Sequence, residues 1–290
     1  MPFSQGEIDG IREDFLDSLF VDPEQLRGEG RSTTGRQEYA ERACRGGLPL
    51  AVAVSGAARQ RWYRSYVSTS LERDVRELSQ IRRAAALPRL LERLAGQTGQ
   101  VLNISRASAA ADLDARTADN YVRLLEGLFL IRRLPAWGRT LRARAAAVPK
   151  LHLVDSGLAA HLLRITPERL ARPDPAAAAE FGHLLETFVV GELLKQASWH
   201  DEVAGVGHWR THDGQEVDLV LERYDGSIVA FEVKSSSRIR PGDISGLRVL
   251  RDTLGEQFHA GVVLGTMEHA VGLEDRIYAA PIDRLWRPRP

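Results

Sequence analysis

Two alternating apolar segments near the carboxyl end constrain the fold of this chain most strongly. Residues 215–222 and 228–234 each alternate apolar side chains with others over the length of a β-strand. A three-residue loop ending at Gly226 would give this glycine the left-handed conformation that such a hairpin turn requires. Paired residue numbers then sum to 450, so that Leu219 lies opposite Phe231. We therefore predict a β-hairpin in this register.

This register divides the hairpin into an apolar face and a charged face. On the apolar face, Val217 lies opposite Val233 and Leu221 lies opposite Val229, in line with the first pair. A two-residue loop would instead place Val217 opposite Lys234. Because a slip of one residue turns every side chain to the other face, the apolar pattern selects the three-residue loop.

The charged face brings two carboxylates together. Asp218 lies opposite Glu232 and Glu216 lies opposite Lys234, at a distance of about 4.5–5.5 Å between Cβ atoms. Adjacent carboxylates repel each other and raise one pKa unless a cation lies between them, and Mg²⁺ is the usual hard cation. Lys234 would then hold or deprotonate a water, or stabilise charge on a phosphate. Alternatively, Lys234 pairs with both carboxylates in a surface ion cluster.

The rest of the chain indicates an α+β protein in which helices precede the hairpin domain. A length of 290 residues exceeds the ~100–200 residues of a typical domain. Residues 1–80 are typical of short helices followed by one long helix, predicted over 56–81. Residues 81–170 follow the order helix, turn, helix and strand pair, which indicates a winged helix-turn-helix. Residues 176–290 follow the order αβββαβ of a small domain with a mixed sheet.

Charge is balanced over the whole chain but not over its middle. The chain has 39 Lys and Arg and 39 Asp and Glu. Residues 81–150, however, have 13 Lys and Arg and only 5 Asp and Glu. Such an excess favours contacts with the phosphates of DNA. Arg116 and Arg123 on the second helix are the candidates, with Lys150 at the entry to a strand. Alternatively, the middle region is a protein-interaction or spacer module, and Lys150 is merely solvated.

Other features of the sequence favour a cytoplasmic protein. Cys44 is the only cysteine, which argues against disulfide bonds and a multi-cysteine zinc site. We find no apolar run of about 18 residues and no signal peptide, so we expect no membrane partner.

The hairpin motif resembles that of a known enzyme superfamily. Asp218, followed by Glu232-Val233-Lys234 on the next strand and preceded by a helix with Glu186, resembles the PD-(D/E)XK nucleases, which have a restriction-endonuclease-like fold. The resemblance implies that Asp218 and Glu232 bind the metal, that Lys234 assists the attacking water, and that Glu186 completes the site.

A wider set of motifs is similar to the carboxyl-terminal part of bacterial AAA+ ATPases that end in domain of unknown function 4143. The motifs are Leu71-Glu72-Arg73-Asp74-Val75, Gln97-Thr98-Gly99-Gln100, Pro149-Lys150-Leu151, Asp155-Ser156-Gly157-Leu158, Glu186-Thr187-Phe188-Val189, Glu216-Val217-Asp218 and Glu232-Val233-Lys234. Proteins of this kind usually begin with an ATPase core. No Gly-Lys-Ser/Thr motif is present, so we expect that the core is missing and that ATP is not bound.

Together these features predict a DNA-binding protein with a metal-dependent phosphodiesterase site, in effect a Mg²⁺-dependent DNA endonuclease. The alternative is a non-catalytic module that binds DNA or protein and regulates an ATPase supplied by another chain.

Overall fold

The amino-terminal part of the chain is helical. The computed structural model describes residues 1–27, 30–77, 86–138, 140, 148–172 and 174–287, but not the side chains of residues 72–77. The helices in this part are α1 (Gln5–Asp9), α2 (Phe15–Val21), α3 (Arg36–Arg45), α4 (Pro49–Val52) and α5 (Gly56–Glu77). Helix α5 corresponds to the predicted long helix, whose expected end at residue 81 lies outside the described residues.

The middle region combines helices with a small sheet. Its helices are α6 (Leu87–Ala95), α7 (Ile104–Ala110), α8 (Ala115–Gly127), α9 (Ser156–Leu162) and α10 (Pro167–Leu170), and its strands are β1 (Gln100–Val101), β2 (Ile131–Leu134) and β3 (Lys150–Leu153). Strand β3 lies between β1 and β2 and is antiparallel to both. Residues 141–147, between the two strands predicted for the wing, lie outside the described residues.

The carboxyl-terminal region is built on a six-stranded mixed sheet. Its elements are α11 (Pro175–Trp199), β4 (Val203–Arg210), β5 (Glu216–Arg223), β6 (Ile228–Val233), α12 (Ser245–Leu254), β7 (Phe258–Gly265), β8 (Val271–Glu274) and β9 (Ile277–Pro281). The strand order is β4-β5-β6-β7-β9-β8. The predicted α+β class is confirmed, and β8 and β9 extend the sheet beyond the predicted elements. None of the described helices combines the length and apolar character that crossing a membrane requires.

Helices cover both faces of this sheet. On one face, Phe181 and Phe188 of α11 share an apolar cluster with Leu219 and Phe231 of the hairpin. This cluster continues through the amino-terminal and middle helices, so that one core crosses all three predicted regions. On the other face, Leu247 of α12 belongs to a second cluster, together with side chains of β5, β6 and β7.

The hairpin between β5 and β6 has the predicted register. Leu219 pairs with Phe231 and Leu221 pairs with Val229. The loop is closed by a hydrogen bond of 2.9 Å from the Arg223 N–H to the Ser227 carbonyl. Residue 226 has φ +81°, the left-handed conformation that glycine adopts readily.

The predicted position of Val217 is wrong, because β5 contains a β-bulge. Gly207 of β4 pairs with Val220, whereas Trp209 pairs with Val217, so β5 has one extra residue in this stretch. Val217 therefore joins Val220 in the second apolar cluster, while Leu219 stays in the first. The bulge lies at Asp218 and Leu219, beside the predicted site.

Candidate functional site

The bulge places the Asp218 carboxylate outside the regular strand pairing. The paired residues of β5 and β6 end at Leu219 and Phe231. Beyond them, the Val233 N–H donates a hydrogen bond of 2.9 Å to Asp218 Oδ2. Because bulges redirect side chains, Asp218 faces the side of the sheet covered by α11.

Four acidic side chains from three elements meet here, and we call them the carboxylate cluster. They are Glu186 of α11, Glu216 and Asp218 of β5, and Glu232 of β6. The predicted residues Glu186, Asp218, Glu232 and Lys234 are thus close together. Lys234 Nζ donates a hydrogen bond of 2.7 Å to Glu232 Oε1.

Lys150 enters the carboxylate cluster from the middle region. Its ammonium lies 2.7 Å from Asp218 Oδ1, 2.9 Å from Glu186 Oε1 and 3.4 Å from Glu216 Oε1. Only 1% of the residue is exposed. This differs from the expected surface position, since a buried ammonium bonded to carboxylates does not reach a DNA phosphate.

Charges and burial shift the pKa values of this cluster strongly. Burial raises the pKa of Glu186 well above its usual range, and the charge of Asp218 raises it further. For Glu232, burial and the Asp218 charge raise the pKa to about 8, although Lys234 opposes the shift. Burial alone would lower the pKa of Lys150, but the neighbouring carboxylates outweigh it and raise this pKa. The carboxylates around Lys150 therefore favour its charged form.

Two of the carboxylates fit a hard divalent cation. Glu232 is 7% exposed, and its Oε2 has no hydrogen-bond partner. Each oxygen of Asp218 accepts one hydrogen bond and retains a lone pair. No three Asp, Glu, His or Cys side chains of the described residues are arranged to hold one metal ion. Mg²⁺, however, often takes only one or two carboxylates and completes its shell with water and phosphate.

The two candidate arginines of the middle region lie on α8. Arg116 and Arg123 are both exposed. Arg123 forms an ion pair of 2.9 Å with Asp119, one turn earlier on the same helix. Their predicted contact with DNA stays a prediction.

Sequence reasoning did not predict that Lys150 belongs to this cluster. Its partners lie 36 to 68 residues further along the chain, so that only the tertiary structure shows the contact. One weak signal was present, because the chain has only three lysines, Lys150, Lys195 and Lys234, among 39 Lys and Arg. A lysine that persists among so many arginines indicates a need for a compact ammonium.

Comparison with known proteins identifies two sequence families within the chain. Residues 181–285 match the family described as Domain of unknown function (DUF4143), which confirms this part of the resemblance. Residues 36–169 match Domain of unknown function (DUF8612). The uncharacterized proteins Rv2008c of Mycobacterium tuberculosis and Mb2031c of Mycobacterium bovis are each 29% identical over 243 residues. The match covers 83% of this chain and 52% of each relative. No solved structure is significantly similar.

Proposed function

We propose that the DUF4143 domain of this protein binds DNA at the carboxylate cluster and hydrolyses a phosphodiester with the help of one divalent cation. The observation that carries this proposal is the buried Oε2 of Glu232, which has no partner and lies beside Asp218. A buried acceptor left unpaired is costly unless a ligand satisfies it. Asp218 and Glu232 would hold the cation, with Mg²⁺ as the preferred ion.

Charge in and around the carboxylate cluster suits a cation and a phosphate. A divalent cation between Asp218 and Glu232 would favour their ionised forms and so lower the raised pKa of Glu232. Three protein cations lie around the cluster. The cations are Lys150, Lys234 and Arg210, which lies 3.7 Å from Glu216. The bound ion would polarise the phosphate and lower the pKa of a water ligand.

Lys234 is placed to act on the substrate. Its side chain is 28% exposed and contacts Glu232. Burial alone would lower its pKa, but the charges of Glu232 and Asp218 raise it. Lys234 would hold the attacking water or donate to a phosphate oxygen.

The direct test is metal binding and cleavage by the wild-type chain. We expect calorimetry to show one Mn²⁺ or Mg²⁺ bound per chain, because the proposal assigns the ion to one pair of carboxylates. Nicking of supercoiled plasmid should require the same ion and stop with EDTA. Absence of metal binding to the wild type would rule out the catalytic proposal.

DNA would approach over exposed arginines in the segment after β6. Arg238 and Arg240 lie five and seven residues after the end of β6, are exposed and form no ion pair within the described residues. Replacing both with alanine should weaken DNA binding and reduce the slope of log K against log salt by about 1 for each lost phosphate contact. The Arg116→Ala/Arg123→Ala variant should have a similar effect if α8 also contacts DNA. Fluorescence anisotropy with a labelled duplex at several salt concentrations measures both.

A matched control uses arginines of the same domain that are already paired. Arg248 and Arg251 of α12 both contact Glu274. Replacing them with alanine should leave the salt slope unchanged. If neither the 238/240 pair nor the 116/123 pair alters DNA binding, the proposed DNA surface is incorrect.

A second candidate function has its own supporting observation. Lys150 already supplies a cation to Asp218 and Glu186, as expected of a domain that keeps the site folded without a metal. In that case the protein is a non-catalytic module that binds DNA or regulates an ATPase on another chain. The Mn²⁺ titration separates the two functions.

A further inference from the structure

We infer that Lys150 is a built-in cation of the carboxylate cluster, which stands where a second divalent ion would bind and so limits the site to one ion. This inference rests on the proposed function, and it adds how the middle region controls the metal content of the site. Nothing in the nuclease motif requires a residue from that region.

The position of the Lys150 ammonium supports this role. A primary ammonium has three N–H donors, and Lys150 has three carboxylate oxygens within 3.4 Å. Two of these oxygens, Asp218 Oδ1 and Glu186 Oε1, lie within 2.9 Å of the ammonium and would without it be open to a cation. A second divalent ion among them would have to displace the ammonium or tolerate its repulsion.

The backbone around Lys150 holds the ammonium in place. Lys150 pairs with Val101 of β1 on one side and with Leu134 of β2 on the other. Trp137, three residues after the end of β2, connects the small sheet to the large one. Its Nε1 donates a hydrogen bond of 2.9 Å to Glu222 of β5, and its backbone N–H donates one of 2.6 Å to the His208 carbonyl of β4. Lys150 therefore enters the cluster from a fixed strand.

The experiment compares Mn²⁺ binding to the wild type and to Lys150→Met by calorimetry on the full chain. The variant should bind Mn²⁺ at least about tenfold more tightly, or bind a second ion, because a positive charge is removed from within a few ångströms of the metal. Its melting temperature should be lower than that of the wild type without metal and should recover with Mn²⁺.

A second pair of variants covers the case in which Lys150→Met does not fold. Lys150→Met/Glu186→Gln removes one positive and one negative charge, so the cluster keeps its net charge. It should bind Mn²⁺ more tightly than Glu186→Gln alone, since only the double variant frees Asp218 Oδ1.

Lys195→Met is the matched control. Lys195 is another buried lysine, and it contacts Glu192 Oε1 and donates a hydrogen bond of 2.9 Å to the Phe3 carbonyl. Its replacement should lower the melting temperature without changing Mn²⁺ affinity, because no residue of the carboxylate cluster contacts it among the described residues.

The outcomes distinguish this inference from the proposed function. If the wild type binds one ion and the Lys150 variants bind with the same affinity and stoichiometry, the inference is wrong and the proposed function stands. If only the Lys150 variants bind Mn²⁺, Lys150 excludes every ion from the wild type, and both the one-ion limit and catalysis by the wild type are overturned. If no protein binds Mn²⁺, both fail.

Discussion

Asp218→Asn should abolish divalent-cation binding and DNA cleavage together. Asparagine keeps the size of the side chain and can still accept the hydrogen bond from the Val233 N–H, but it lacks the negative charge that binds the ion. We expect no heat of Mn²⁺ binding in calorimetry and no metal-dependent nicking of plasmid. Circular dichroism would verify that the variant is folded.

Lys234→Ala provides the contrast that assigns a role to each residue. This substitution removes a positive charge beside Glu232 Oε1, so Mn²⁺ affinity should be unchanged or higher. Cleavage should fall about 100- to 1000-fold, as on loss of one group that stabilises transition-state charge. The proposal would be contradicted if the Asp218→Asn variant were more stable to unfolding than the wild type and if Mg²⁺ did not change the stability of the wild type. That result would identify a non-catalytic ion cluster.

The register of the hairpin could be predicted from the sequence, but the bulge in β5 could not. The alternation of Leu219 and Leu221 with polar and small residues defines one apolar face, and glycine at position 226 defines the turn. Prediction failed at Val217 because α12 covers the opposite face of the sheet with a second apolar cluster. An apolar side chain is stable on either face of such a sheet, so the pattern does not reveal the extra residue.

The acidic half of the site could also be predicted, whereas its buried cation could not. Asp218 and Glu232 lie on neighbouring strands at the end of the hairpin, so the hairpin alone brings them near each other, although the bulge takes Asp218 out of the predicted pair with Glu232. The contact of Lys150 with Asp218 instead depends on how the small sheet packs against the large one. The strand β8 escaped prediction for a local reason. Strand β8 is a short edge strand whose residues are largely exposed or half-buried, and its pattern is weak.

The Asp155-Ser156-Gly157-Leu158 motif has a structural explanation that leads to a second large effect. Asp155 is buried and joins three parts of the chain. Its carboxylate accepts hydrogen bonds from the Leu158 N–H at the start of α9 (2.8 Å), from the Tyr63 hydroxyl (2.9 Å) and from the Gly47 N–H (2.7 Å). The motif therefore fixes α9 to α5 and to the loop after α3.

Asp155→Ala should destabilise the fold by about 3 kcal/mol, because it removes a helix cap and leaves the buried Gly47 N–H unpaired, whereas the Tyr63 hydroxyl keeps the Arg45 carbonyl as an acceptor. Asp114→Ala is the matched control, because Asp114 caps α8 at an exposed site through the Thr117 N–H and its loss should cost only about 1 kcal/mol. Urea unfolding measures both changes. Equal losses would mean that Asp155 is only a helix cap and that its bonds to Tyr63 and Gly47 contribute little.

Gly46→Ala tests the same buried contacts of Asp155 from the residue that packs against its carboxylate. Gly46 has φ +69° and ψ −165°, a conformation found almost only in glycine. A Cβ atom there would lie 2.3 Å from Asp155 Oδ1, which is too close for both atoms to keep their positions. We therefore expect Gly46→Ala to be at least as destabilising as Asp155→Ala.

In a chain that already carries Asp155→Ala, Gly46→Ala should lower the free energy of unfolding by a smaller amount. The carboxylate that the new methyl group would meet is then gone, and only the backbone strain remains. A double-mutant cycle in urea measures this coupling, and strict additivity would show that Gly46 is required for its backbone conformation alone.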